Sequence, residues 1–258
     1  MYIGKPPIGK PQRIVSLVPS LTELLYSMAL DEAVVGITKF CIHPDSWFRQ
    51  KTRIGGTKNP DLDRIRALQP DLIIANQEEN NQTDVLTLAA SFPVWLTNVQ
   101  DYSSALATIQ SLGVCTGRER EAKQIIDTIE DAWKQVAIPF SKPKRVLYLI
   151  WRNPYMSIGG DTFIDSLLEK AGFQHVLSDQ KRYPVITPTE IAEAAPEYVF
   201  LSSEPYPFKA AHIEELRQLL PNTAIHLVDG ELFSWYGSRM MYTPAYLLKQ
   251  LYPALNAF

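Results

Sequence analysis

Two stretches of this sequence decide its fold: DLDRIRALQPDLIIANQEE (residues 61–79) and TPTEIAEAAPEYVFLSSEP (residues 187–205). In each, a short amphipathic segment with helical spacing ends at a proline followed by an acid, at residues 70–71 and 196–197. An apolar run typical of a buried strand comes next. A repeat this widely spaced is not a small solenoid unit, and it predicts two similar α/β lobes.

In both copies the second-to-last residue is a glutamate, and the two glutamates, Glu78 and Glu204, are 126 residues apart. Each copy is also preceded by an apolar strand that begins with an arginine, Arg13 or Arg145. In open α/β sheets, ligands bind beyond the carboxyl ends of the strands. We therefore expect Glu78 and Glu204 to face one ligand site between the lobes.

A long helix should join the two lobes. Apolar residues recur with helical spacing over residues 118–136, after a predicted helix break at residues 113–117. We predict an N-terminal α/β lobe over residues 13–115, a connecting helical region over 116–143 and a C-terminal α/β lobe over 144–258. The first 12 residues, which hold three prolines, predict an extended arm, and residues 38–60 predict a loop.

Composition excludes several classes of protein. The net charge of −3 gives no basic field for nucleic acid. No apolar run approaches the 18 or so residues that span a bilayer. The start of the chain lacks the apolar segment of a signal peptide, which predicts either a cytoplasmic protein or one whose leader has been removed.

The first lobe contains a group of polar residues that could bind a ligand or a metal ion. Glu78 and Glu79 follow a buried strand, where adjacent carboxylates suit cation coordination, although a solvated loop is the alternative. Cys41 and His43 are two residues apart, and together with a glutamate such a pair can form a metal site. We predict that His43, Glu78 and Glu204 are the ligands of this site. The alternative is a buried cysteine beside a histidine that hydrogen-bonds the backbone.

Aromatic residues follow the strands of the second lobe. Prolines stiffen the loop that holds Glu204 and Tyr206, which favours a binding role over a simple strand cap. Trp151 follows another strand, and a further loop carries Trp235, Tyr236 and Arg239. These side chains predict a ligand pocket, with core packing as the alternative. The sequence contains no nucleophile–base motif, which favours a binding protein over an enzyme.

The segments RIVSLVPSLTELLYSMAL, VVGIT and DLDRIRALQPDLIIA, together with the long helix, resemble the helical-backbone metal receptor superfamily. Within it the chain is most similar to the substrate-binding proteins of ABC importers for cobalamin and iron-siderophores, in the vitamin B12-binding branch. The resemblance covers residues 13–252. It implies two Rossmann-like lobes joined by one long helix, as in class III periplasmic binding proteins, with a metal chelate or corrinoid held in the cleft.

The resemblance also implies roles for individual residues. The family's aromatic cleft positions fall on Phe40, Thr57 and Tyr183, and we include the neighbouring Lys58 among the ligand-binding residues. The family's permease-docking positions fall on Asp63 and Thr189, and we expect Glu190, the acid adjacent to Thr189, to serve the second lobe. No cofactor is obligatory, and a bound metal ion, corrinoid or metal chelate is expected. The alternative is a cytoplasmic metal-handling protein or chelatase-like enzyme that uses His43, Glu78 and Glu204.

Overall fold

The computed structural model of this chain describes residues 2–3 and 6–255, so the predicted arm over residues 1–12 and the end of the predicted C-terminal lobe lie partly outside it. The chain divides into two compact units. Unit 1 comprises the chain up to Val99, Ser104–Ile129 and Tyr236–Arg239, and unit 2 comprises Gln100–Ser103, Glu130–Trp235 and the chain from Met240 onward. These bounds differ from the predicted ones: Tyr236–Arg239 belongs to unit 1, Gln100–Ser103 belongs to unit 2, and the main division falls between Ile129 and Glu130.

Within the described residues, unit 1 contains a six-stranded sheet in which β2, β3, β4, β5 and β6 run parallel and β1 pairs antiparallel with β6. The strand order is β1-β6-β5-β2-β3-β4. The strands are β1 (Tyr2–Ile3), β2 (Ile14–Ser16), β3 (Val34–Ile37), β4 (Thr52–Arg53), β5 (Leu72–Asn76) and β6 (Val94–Thr97). The helices that lie wholly in this unit are α1 (Pro19–Ser27), α2 (Asp45–Gln50), α3 (Leu62–Ala67) and α4 (Gln82–Ala89). Two longer helices, α5 (Tyr102–Thr116) and α6 (Glu119–Lys134), have residues in both units.

Unit 2 also contains a six-stranded sheet within the described part of the chain. Its order is β10-β8-β7-β11-β12, with β9 paired to β7, and β7, β9, β11 and β12 run parallel. The strands are β7 (Lys144–Trp151), β8 (Tyr155–Ser157), β9 (Phe173–His175), β10 (Val185–Ile186), β11 (Tyr198–Ser202) and β12 (Ala224–Val228). The helices are α7 (Phe163–Lys170), α8 (Pro188–Glu193), α9 (Ala210–Leu219), α10 (Gly230–Ser234), α11 (Thr243–Tyr246) and α12 (Tyr252–Leu255), with a 3₁₀ turn at Ser238–Met241 that begins in unit 1 and a π-helical turn at Leu247–Leu251.

The acid that follows the proline in each repeat fixes the start of the preceding parallel strand. In unit 1, the Asp71 carboxylate accepts hydrogen bonds from the backbone N–H groups of Gln12 and Arg13, each at 2.8 Å. The Arg13 guanidinium donates to the carbonyl of Leu68, at the end of α3, at 2.7 and 2.9 Å. The repeated residues therefore tie a helix end and a neighbouring strand to each other.

The same arrangement recurs in unit 2. Glu197 accepts hydrogen bonds from the backbone N–H of Arg145 at 3.0 Å and from Lys144 Nζ at 2.7 Å. The Arg145 guanidinium donates to the carbonyl of Ala194, just after α8. The Pro-acid pair and the leading arginine of the repeat thus have a structural role in both units.

Helix α5 runs through Gly113, where the sequence predicted a break. A Cβ atom at Gly113 would lie only 2.4 Å from the Cβ of Ala122 on α6. The glycine therefore allows α5 and α6 to pack closely, and the helix ends instead at Thr116, before Gly117 with its positive φ of 67°.

Residues 38–60 are not wholly a loop, because they contain α2 and β4. Trp47 of α2 is buried, packs edge-on against Tyr26 with ring centroids 5.4 Å apart, and donates its indole N–H to Asp31. Helix α2 has only six residues, and the tertiary packing of this large buried side chain stabilises it.

Candidate functional site

Two buried asparagines build the loop at the carboxyl end of β5. Asn76 Oδ1 accepts the backbone N–H groups of Glu78 and Glu79 at 2.8 and 3.1 Å. Asn80 Oδ1 accepts the N–H of Asn76 at 2.7 Å, and its amide donates to the carbonyls of Leu17 and Thr57 at 3.2 and 3.0 Å. The loop is therefore rigidly held and leaves Glu78 and Glu79 half-buried.

Sequence reasoning singled out the two glutamates but missed the role of Asn76. The signal was present, since an asparagine that ends an apolar strand can accept the N–H groups of the turn that follows.

Lys58 and Phe40 also lie in unit 1. The Lys58 ammonium donates a hydrogen bond to the backbone carbonyl of Glu78. The Phe40 ring is 51% exposed, and the Lys39 ammonium lies 5.1 Å from its centroid. An exposed aromatic ring with a cation beside it presents an apolar face to a ligand.

Cys41 matches the buried-cysteine alternative. Its side chain is fully buried, and its Sγ lies 3.1 Å from the Thr22 hydroxyl and 3.2 Å from that of Thr38. Burial raises the pKa of the thiol to about 11, which keeps it protonated at neutral pH. His43, two residues on, is half-buried.

The segment Tyr236–Arg239, which we call the clasp segment, was predicted to line a pocket, and two of its side chains are held by acids of unit 1. The Arg239 guanidinium forms two hydrogen bonds of 2.8 Å to the Glu23 carboxylate on α1. The Tyr236 hydroxyl is buried and donates to Glu79 Oε1 at 3.2 Å. Gly237, beside Leu24, has φ of 112°, a backbone conformation that residues with a Cβ rarely adopt. Glu79 and Arg239 thus serve a structural contact in this unit.

Glu204 in unit 2 lies at the carboxyl end of β11 and is largely buried within its own unit. Its Oε1 accepts hydrogen bonds from the Ser234 hydroxyl and, at 2.9 Å, from the indole N–H of Trp235. Burial raises the pKa of this carboxyl, and nearby Glu231 and Asp229 act in the same direction. Trp235 is therefore a partner of Glu204.

An aromatic group lies at the carboxyl ends of β7 and β11; we define the unit 2 aromatic group as Trp151, Tyr206, Phe208 and His212. The Trp151 ring is 39% exposed and meets Tyr206 edge-on with centroids 5.6 Å apart. Tyr206 in turn contacts Phe208 at 4.8 Å and His212 at 5.5 Å between centroids. Tyr183, also in unit 2, is exposed as well.

Within residues 2–3 and 6–255, no three His, Cys, Asp or Glu side chains are grouped so that they could hold a metal ion. The metal site formed by His43, Glu78 and Glu204 therefore stays a prediction.

Asp63 on α3 is 93% exposed at its side chain, and Glu190 on α8 forms a capping box with Thr187. In residues 6–255, no helix is long and apolar enough to cross a membrane.

Comparison with known proteins gives consistent matches. The sequence profile of the family described as periplasmic binding protein matches residues 14–219. The uncharacterized ABC transporter substrate-binding lipoprotein YvrC of Bacillus subtilis (strain 168) is 24% identical, over 95% of this chain and 81% of that protein. The vitamin B12-binding protein of Yersinia pestis (strain Pestoides F) is 22% identical, over 76% of this chain and 71% of that protein.

Among solved structures, the apo form of the periplasmic heme-binding protein RhuT from Roseiflexus sp. RS-1 superposes with a TM-score of 0.81. It is 20% identical in sequence, and the match covers 96% of this chain and 100% of that one. The predicted fold class, α/β of the class III type, is confirmed by this likeness.

Proposed function

Because this chain belongs to the periplasmic binding protein family, we propose that it is the substrate-binding protein of an ABC importer and that its substrate is a metal chelate or corrinoid. Relatives named for vitamin B12 and heme support this substrate class, since both ligands are flat rings around a metal ion. The relatives are named as lipoprotein or periplasmic, which supports a site of action outside the inner membrane.

The observation that carries the proposal is the unit 2 aromatic group. Trp151 is a large apolar side chain that is 39% exposed and lies next to Tyr206 at a strand end, where α/β proteins bind ligands. Small-molecule sites combine apolar and aromatic surfaces with a few fixed polar groups. In unit 1, the exposed Phe40 ring and the half-buried Glu78 supply similar elements.

Binding to a permease would use the exposed helix ends of the repeat. Asp63 and Glu190 occupy corresponding helices, α3 and α8, in the two copies. Exposed acids attract a basic partner surface and speed association.

Native mass spectrometry tests the substrate class. The protein is purified without chelators, analysed for metal content, and then incubated with haemin, cyanocobalamin or ferrichrome. We expect one of these chelates to give a 1:1 adduct that is lost on denaturation. If none of the three is retained and the purified protein carries no metal-containing molecule, the proposed substrate class is wrong.

A further inference from the structure

His212 is held in a defined tautomer. It lies in the first turn of α9, and its Nδ1 accepts the backbone N–H of Lys209 at 2.8 Å. A ring nitrogen that accepts an N–H carries no proton of its own, so in the neutral imidazole the proton is on Nε2. Nε2 is 3.3 Å from the Tyr206 hydroxyl oxygen. His212 therefore donates to Tyr206.

This assignment sets the direction of the Tyr206 hydroxyl. Because its oxygen accepts from His212, its own proton cannot point at that ring. Within residues 6–255, His212 Nε2 is one side-chain hydrogen-bond partner of the Tyr206 oxygen. The hydroxyl is thus a donor whose proton remains available to a ligand.

Arg152 adds positive charge beside the same oxygen. Its guanidinium forms a two-point ion pair with Glu215, with a shortest N–O distance of 2.7 Å. The pKa of Arg152 is raised, mainly by its hydrogen bond to Glu215 and to a smaller extent by the Tyr206 and Tyr155 side chains. The Tyr206 oxygen thus has a donor on two sides, which strengthens the polarity of its remaining O–H.

Trp151 supplies the apolar part of the surroundings. Its ring contacts Tyr206 edge-on and is 39% exposed. The side chain following it in sequence is Arg152, whose charge Glu215 balances. The surroundings of Tyr206 therefore combine an apolar ring, Trp151, with an ion pair whose two charges balance each other.

We propose that Trp151 and Tyr206 form a subsite for the rim of a flat ring system that bears a hydrogen-bond acceptor oxygen, with His212 as the positioning residue for the Tyr206 hydroxyl. The ring lies on Trp151, and its peripheral oxygen accepts from Tyr206. This inference rests on the proposed function. The acceptor is the carboxylate of haemin or the amide carbonyl of cyanocobalamin, which share this chemistry.

Equilibrium binding of haemin and of cyanocobalamin to the full chain tests the subsite and identifies the source of the oxygen. Tyr206→Phe removes the hydroxyl and retains the ring contacts. It should weaken the bound chelate about three- to tenfold, as expected for one hydrogen bond. Trp151→Leu should weaken it about tenfold or more. Tyr198→Phe is the matched control, because Tyr198 lies at the opposite end of β11, and it should leave the Kd unchanged.

His212→Ala tests the positioning role. It should weaken binding in the wild-type background but add no further loss in Tyr206→Phe, because it acts through that hydroxyl. Equal losses in both backgrounds would overturn the positioning role. If the wild type binds a chelate and Tyr206→Phe binds it equally well, the subsite is wrong and the proposed function stands. If the wild type binds neither chelate nor ferrichrome, the proposed function itself fails.

Discussion

Arg239 and Glu23 form a two-point ion pair, with both hydrogen bonds at 2.8 Å, across 216 residues of sequence. Their side chains are only 13% and 14% exposed, so the pair is largely shielded from solvent. The contact holds the clasp segment (Tyr236–Arg239) against α1 in unit 1. The clasp segment therefore belongs to unit 1, although it lies in the C-terminal part of the sequence.

Breaking this pair should destabilise the protein. Arg239→Met leaves the shielded Glu23 carboxylate without its partner and should lower the free energy of unfolding by about 2–4 kcal/mol. Urea denaturation measures the change. The double variant Glu23→Gln/Arg239→Met should lose less than the sum of the single variants. Arg66→Met, which removes an exposed pair with Asp63, is the control and should change stability by under about 1 kcal/mol. Strict additivity at Glu23 and Arg239 would contradict this account.

The repeated acid makes a second stability prediction. Asp71→Asn leaves one acceptor oxygen where the carboxylate has two, so one of the N–H groups of Gln12 and Arg13 loses its bond. We expect a loss of about 1–2 kcal/mol in unfolding free energy, as for one charge-assisted hydrogen bond. Chelate affinity should not change, since this contact lies at the amino end of β2. An Asp71→Asn protein as stable as the wild type would show that the repeat has no such role.

Buried ionisable groups in unit 2 predict how stability depends on pH. The His175 ring hydrogen-bonds Ser157 at 3.2 Å, and its Nδ1 lies 3.9 Å from Asp165. Burial lowers the pKa of His175 from 6.5 to about 3, so the stability it contributes is full above pH 6.5 and lost as pH falls toward 3. Burial raises the pKa of Asp165 from 3.8 to about 6, so its contribution is full below pH 3.8 and lost as pH rises through 6.

The two groups therefore oppose each other between about pH 4 and 6. His175→Gln should flatten or reverse the loss of stability on acidification, and Asp165→Asn should make that loss steeper. Thermal unfolding midpoints from pH 4 to 7 measure both effects. Curves that run parallel for the wild type and both variants would refute the assignment.

Docking to a permease predicts a salt-dependent rate. Asp63→Lys should slow association with the cognate permease in nanodiscs, and high salt should reduce the difference because it screens exposed charges. Glu190→Gln removes the second charge but keeps the side-chain acceptor that a capping box requires. Asp131→Lys is the control, since Asp131 is exposed on α6. If Asp63→Lys and Asp131→Lys associate equally fast, Asp63 is not a docking residue.

Local sequence patterns predicted much of the fold. The helix predicted over residues 118–136 is present as α6 (Glu119–Lys134), because apolar residues at helical spacing report directly on local structure. Long-range contacts were outside the reach of such patterns. The close approach of Ala122 to Gly113 allowed α5 to continue past its predicted end.

Contacts in the candidate site also join residues that are far apart in sequence. Tyr236 and Arg239 have the composition of a pocket, but their partners, Glu79 and Glu23, are far away in sequence. Trp151 and Tyr206 follow strand ends, a position that the topology of a parallel sheet makes predictable. The tautomer of His212 depends on the N–H of Lys209, a contact that no local sequence pattern predicts.

Equilibrium dialysis of the wild-type protein against haemin, cyanocobalamin and ferrichrome, each beside its free metal ion, tests the central claim most directly. We predict saturable retention of one chelate at one molecule per chain, and much weaker retention of the corresponding free ion. Retention of a free ion in preference to all three chelates, or of none of these ligands, would contradict the account.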